Sequence, residues 1–311
     1  MWLVLSLASM GAYLSDELLG KYYLSNKDEK DGEIKMFIIR NIFIAIVGLF
    51  VWLLNLGESG LGPISLAINK PLSLISGIFS LFYDACLYIS MAKIPVTIAS
   101  PFSNTSGIIT FIMVLAFFLL TGVDIGVDLS YLSIKTIAVS FLIVSSIIMI
   151  IDEIKISKDN KKQKDTFFFG SISAILSAVF DSIDSMALAL LFVADYVGEY
   201  DLMIVYGFVG IIASIIMYIS LCIKNKKVWN IFDFKKEKNA IISSFLIALA
   251  DVFYILAVGA EPLFASILIS TYCAFIPLFS KIFLKEKISF IKYVAVAGII
   301  ISVILFSFVD V

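Results

Sequence analysis

Apolar runs of about 20 residues, separated by charged or Gly/Pro-rich breaks, dominate the chain from end to end. They predict ten helical spans, at roughly 1–22, 34–56, 72–92, 96–120, 134–151, 167–194, 202–223, 239–259, 262–282 and 290–309. Period-2 alternation is lacking, which excludes a strand barrel. The pattern also repeats. Asp84 is followed eleven residues on by Pro95, and Asp251 eleven residues on by Pro262, with both acids inside apolar runs. At the same 167-residue offset Ile75, Ser76, Ser103 and Ile109 meet Ile242, Ser243, Ser270 and Ile276. Eleven residues of helix rise about 16 Å, close to half of a roughly 30 Å hydrocarbon core. If the prolines mark helix ends at the membrane surface, both acids lie near the midplane.

A segment rich in Lys and acids, 152–166, divides five spans (1–151) from five (167–311). An odd number of spans per half turns the second half upside down. The expected fold is therefore an all-α integral membrane protein of ten transmembrane helices in two inverted five-helix repeats, the layout of many secondary transporters. Lysine supports an orientation. The links after spans one, three, five, seven and nine hold 20 of them, whereas the even-numbered links hold only Lys70 and Lys135. The positive-inside rule then puts the odd links in the cytoplasm and both termini outside.

Composition sharpens the class. The 311 residues are 61% hydrophobic and 15% charged, with a mean hydropathy of +1.05, well beyond soluble domains. Net charge is −2, which offers no basic surface for nucleic acid. Histidine is absent, so proton chemistry falls to carboxylates. Cys86, Cys222 and Cys273 fit no metal spacing and read as small buried hydrophobes. The first span lacks a basic leader and carries Asp16 and Glu17, which is unlike a cleaved signal peptide. Trp2, Trp52 and Trp229 near span ends suit interfacial anchors.

Candidate chemistry centres on the intramembrane acids, which are costly in a bilayer and functional by default. Asp84 and Asp251, facing one another across a pseudo-twofold axis, would titrate as a coupled pair and exchange a proton for a cationic or zwitterionic solute. Tyr88 and Tyr254 share their helix faces and suit donation to the carboxylates or stacking on a ligand. The bland alternative is a structural acid bonded to a neighbouring helix. Tyr13, Asp16, Glu17 and Lys21 recur on one side of span one, where an intrahelical Glu17–Lys21 pair competes with a site role. Ser173, Ser177, Asp181, Asp184 and Ser185 form a polar stripe on span six that cannot face lipid. Glu17 meets Asp184 under the 167-residue offset. Span four opens with Ser100, Pro101, Ser103, Asn104, Thr105 and Ser106, and span nine answers with Ser266, Ser270, Thr271 and Tyr272; such hydroxyls serve as substrate contacts or as helix glue. Gly207 with Gly210 reads as a close-packing surface.

Spans nine and ten, PLFASILISTYCAFIPLFSKIFLKEKISFIKYVAVAGIIISVILF, resemble the close of an EamA-type half in the drug/metabolite transporter superfamily. Pro277 matches the internal proline there, and Leu284 to Ser289 matches the Leu-Gly-Glu-Arg-Leu-Ser-like turn with Lys in place of Gly and Arg. Ala295 and Ser302 stand where glycines are expected. Arg40 in FIIRNIFIAIVGLF matches an arginine often found early in the second span. The resemblance implies a carrier of small organic metabolites working by alternating access, its cavity walled by spans one, three, four, six, eight and nine. Family members usually keep both termini in the cytoplasm, opposite to the lysine count, which we follow.

The expected function is a proton-coupled secondary transporter of amino acids, amines or other cationic or zwitterionic solutes, with an inorganic cation carrier such as one for Mg²⁺ as the alternative. No nucleophile elbow, metal motif or phosphate-binding glycine loop points to an enzyme. The expected partners are a small-molecule substrate, protons and the lipid bilayer of the cell membrane, with no cofactor and no metal. Monomer and homodimer both stay open.

Overall fold

A computed structural model describes residues 1–25, 31–121, 164–193, 196–231, 233–261, 265–285 and 289–307, with isolated helical positions between 137 and 151. All regular structure among them is helical. The long helices are α1 (Trp2–Leu24) and α2 (Gly32–Leu53), then after a short α3 (Pro63–Asn69) comes α4 (Pro71–Lys93). The span expected at 96–120 is two pieces, α5 (Val96–Ser103) and α6 (Ser106–Thr121). Then follow α7 (Lys164–Val193), α8 (Glu199–Asn225) and α9 (Lys238–Ala260). The ninth span is also broken, into α10 (Ala265–Ser270), a 3₁₀ turn (Thr271–Ala274) and α11 (Ile276–Phe283), and α12 (Phe290–Ser307) closes the series. Much of the expected fifth span, most of the 152–166 segment, Pro262 and the middle of the 284–289 turn lie outside the described residues.

Local chemistry accounts for these boundaries. Pro63 and Pro71 occupy the first turns of α3 and α4, where a missing N–H costs nothing. Ile94 leaves α4 in an extended conformation because Pro95 follows it. Pro95 then precedes α5, so one proline does mark a helix end. Within span four Pro101 deprives the Thr97 carbonyl of its helical donor, and α5 stops at Ser103. In span nine Pro277 does the same to Cys273, and the chain takes a 3₁₀ turn before restarting. The continuous helices expected at both places are corrected to broken ones.

Helix bounds recur at the 167-residue spacing: α2 begins at 32 and α8 at 199, α4 spans 71–93 and α9 238–260, and the breaks fall after 103 and after 270. The most extensive packings are α4 on α7, α1 on α9 and α2 on α8. At the last crossing the backbones nearly touch. A Cβ on Gly48 would stand 2.7 Å from the Met203 carbonyl oxygen and 2.9 Å from the Cα of Gly207. Asn41 likewise crowds Gly210.

Five helices, 32–53, 71–93, 166–192, 199–225 and 238–260, are long and apolar enough to cross a bilayer, which marks a helical membrane protein. Charged links gather at one end of the bundle. There Asp31, the left-handed residue before α2, accepts from Lys224 at 2.7 Å and Asn225 at 2.9 Å. Glu237 accepts from Tyr23 at 2.5 Å and Trp229 at 3.0 Å and pairs with Lys35 at 3.4 Å. Lys21 caps α4 by donating to the carbonyls of Met91 at 2.7 Å and Ile94 at 2.9 Å. At the far end Lys70 reaches the Tyr196 carbonyl, and the Ser59 amide donates to Asp201.

Candidate functional site

Arg40 of α2 is the only arginine in the sequence, and it lies between the two aspartates that the 167-residue offset relates. It forms an ion pair with Asp84 of α4 and a second, at 3.3 Å, with Asp251 of α9. Arg40 and Asp84 side chains are each 1% exposed, against 17% for Asp251. The acids thus meet through a cation rather than facing one another directly. Each ion pair sets a carboxylate against the buried guanidinium, the compensation that a charge in low dielectric requires. Asp84 is sealed in packing, and Asp251 opens onto a cavity.

That cavity, about 40 Å³, lies between α1, α2, α4, α7, α8, α9 and the breaks in spans four and nine. Arg40, Asp181, Asp184 and Asp251 supply its charge, and Tyr13, Tyr83, Tyr206, Tyr254 and Tyr272 most of its wall. Tyr13 donates to Asp251 at 2.6 Å and stacks on Tyr272 with ring centroids 5.5 Å apart. Its other neighbour, Tyr254, meets it edge-on at 6.5 Å. The Arg40 guanidinium sits 5.9 Å from the Tyr83 ring centre. Asn104 and Ser270, flanking the two helix breaks, also reach the cavity. A volume of about 40 Å³ has room for only a few water molecules.

Above and below, acids bond to hydroxyls on facing helices. Toward the far end Asp184 accepts from Ser76 and, at 2.5 Å, from Tyr206, while Ser185 meets the Tyr254 hydroxyl at 2.6 Å. Toward the lysine-rich end Asp16 accepts from Ser243, and Glu17 accepts from Tyr272, whose hydroxyl also takes the Asn104 amide at 3.1 Å. Between them Asp181 accepts from Ser106, and Ser103 meets Ser177 at 2.7 Å. The polar stripe on α7 therefore faces α4, α5, α6, α8 and α9 in turn.

Several expectations change in detail. Tyr88 is buried beside Arg40 and does not line the cavity. Tyr254 lines it but bonds Ser185, and the phenol that serves Asp251 belongs to Tyr13. Glu17 bonds across to the ninth span, and Lys21 caps α4, in place of the intrahelical pair that competed with this role. Asp16 and Glu17 flank the cavity without lining it. Sequence reasoning did not single out Tyr83, Tyr206 or Ser76 as site residues. Arg40 entered only through a family resemblance, although a lone arginine within an apolar run is itself a signal.

These features define a helical membrane protein with a charged, tyrosine-walled centre midway along its helices. No family model matches the chain, and no curated protein matches it. It is similar in fold to a solved crystal structure of a protein at 13% sequence identity, with a TM-score of 0.61 over 98% of this chain and 96% of that one. The likeness concerns fold alone.

Proposed function

We propose that the chain is a ten-helix secondary carrier of small cationic or zwitterionic organic solutes, built as two inverted repeats of the drug/metabolite transporter type. The observation that carries this reading is the centre itself: an arginine, three carboxylates and five tyrosines around a cavity at mid-helix. Buried charge of that kind is expensive in a membrane unless a pathway uses it. Acid and aromatic faces together suit an amine.

The inverted repeat is supported by the paired contacts. Ser76 and Ser243 are equivalent under the offset, each eight residues and about 12 Å from its midpoint aspartate. One bonds Asp184 toward the far end, the other Asp16 toward the lysine-rich end. Equivalent residues thus work at opposite ends, as inversion requires. Breaking one set while keeping the other opens the centre to one side at a time, which is alternating access. By the positive-inside rule the lysine-rich end is cytoplasmic. The Mg²⁺ alternative has less support, since no group of three or more acids or cysteines suited to a metal comes together among the described residues.

Purified protein is screened by thermal shift against amino acids, amines and Mg²⁺ at two pH values. Stabilisation by an organic solute, dependent on pH and lost in Asp251→Asn and Asp181→Asn, is expected. Stabilisation that persists unchanged in both variants overturns the assignment of this centre.

A further inference from the structure

At the lysine-rich end a second concavity opens outward between α1 and α11, away from the centre. Its apolar part, about 650 Å³, runs along one face of α1 from Gly11 to Tyr22, past Leu14 and Leu18, and is walled opposite by Phe279 and Phe283 of α11. Eleven residues of helix make this trough about 16 Å long, the depth of one leaflet's hydrocarbon. It continues into a polar mouth of about 580 Å³ that shares Tyr22, Asn239, Phe283 and Leu284 with it. Lys236 and Lys285 stand exposed at that mouth. Lys21 also lines it but is held by the end of α4, and the nearby Glu237 carboxylate is engaged by Tyr23, Trp229 and Lys35. Among the described residues the mouth is therefore basic, and the trough below it is apolar.

We propose that this groove is a binding site for one acidic phospholipid of the cytoplasmic leaflet, its phosphate between Lys236 and Lys285 beside Asn239 and one acyl chain in the trough. Charge complementarity selects the occupant. A neutral solute gains nothing from the lysines, a free phosphate nothing from the trough, and an anionic lipid matches both at the right depth. The inference rests on the membrane orientation given above and not on transport, so its test reads no transport.

The full chain in detergent is titrated with phosphatidylglycerol and with phosphatidylcholine of the same acyl chains, and bound lipid is counted by native mass spectrometry. Phosphatidylglycerol is expected to bind about 25-fold more tightly, from roughly a fivefold gain for each of the two lysines. In the Lys236→Gln, Lys285→Gln double variant that preference disappears while phosphatidylcholine binding stays. Leu18→Trp, which fills the trough, weakens both lipids, and melting curves without lipid show that each variant is folded. Lys226→Gln with Lys227→Gln, on the same end but outside the groove, leaves the preference intact. Equal loss in that control pair, equal binding of the two lipids by wild type, or displacement of phosphatidylglycerol by glycerol 3-phosphate at equimolar concentration overturns the proposal.

Discussion

Removing Asp84 and removing Asp251 should have unequal consequences, although the sequence presents the two as equivalents. Both pair with Arg40, which is 1% exposed. Two unit charges 4 Å apart at an effective dielectric of about 20 attract by about 4 kcal/mol, and breaking a buried pair typically costs 3–5 kcal/mol because the survivor is left uncompensated. Asp84→Ala strips the guanidinium of its close, fully buried partner and leaves only the 3.3 Å contact to Asp251; it should cost about 3–5 kcal/mol. Asp251→Ala removes the longer contact, made by a carboxylate that is 17% exposed. That cost should stay near the 1.5–3 kcal/mol of an ordinary charged hydrogen bond. Unfolding of both variants by SDS titration in mixed micelles, followed by circular dichroism, gives the two values, and adding Arg40→Met to each tests the shared origin. Combined with Arg40→Met, Asp84→Ala should become markedly less costly, since no buried cation remains to be orphaned. Equal costs, a reversed order, or simple additivity with Arg40→Met would refute the argument that burial of Arg40 sets the stability.

Three further outcomes follow from the same geometry. Ser243→Ala should destabilise the protein more than Ser76→Ala, by about 1 kcal/mol, because Asp184 keeps its bond from Tyr206 whereas Asp16 loses its hydroxyl donor; melting temperatures of the two variants decide. Gly48→Val should cost about 2 kcal/mol or more, since its Cβ would press on the Gly207 backbone, which has no flexible end to give way; a melting temperature near that of wild type would exclude a tight α2–α8 crossing. Tyr272→Phe deprives Glu17 of its phenol and Asn104 of an acceptor at once. A loss of about 1–3 kcal/mol is expected, together with faster labelling by a thiol reagent of Cys273, the buried next residue of the same turn. Unchanged labelling would separate this contact from closure of the centre.

Hydrophobic periodicity alone determined that the chain is helical and made for a membrane, because a 20-residue apolar run has few other stable fates. It also placed Asp84 and Asp251 at matching depth, since depth along a helix is a one-dimensional quantity that residue spacing measures directly. Which groups meet across helices is a different matter, set by rotation and crossing distance. The tertiary structure alone decided that the sole arginine stands between the paired aspartates, that Tyr13 rather than Tyr254 serves Asp251, and that Ser76 and Ser243 bond acids at opposite ends. Spans four and nine read as continuous in hydropathy, and their breaks depend on prolines whose effect packing can tolerate or exploit. The Gly48–Gly207 contact lets α2 lie close against α8, and a contact between residues 159 positions apart leaves no trace in local pattern.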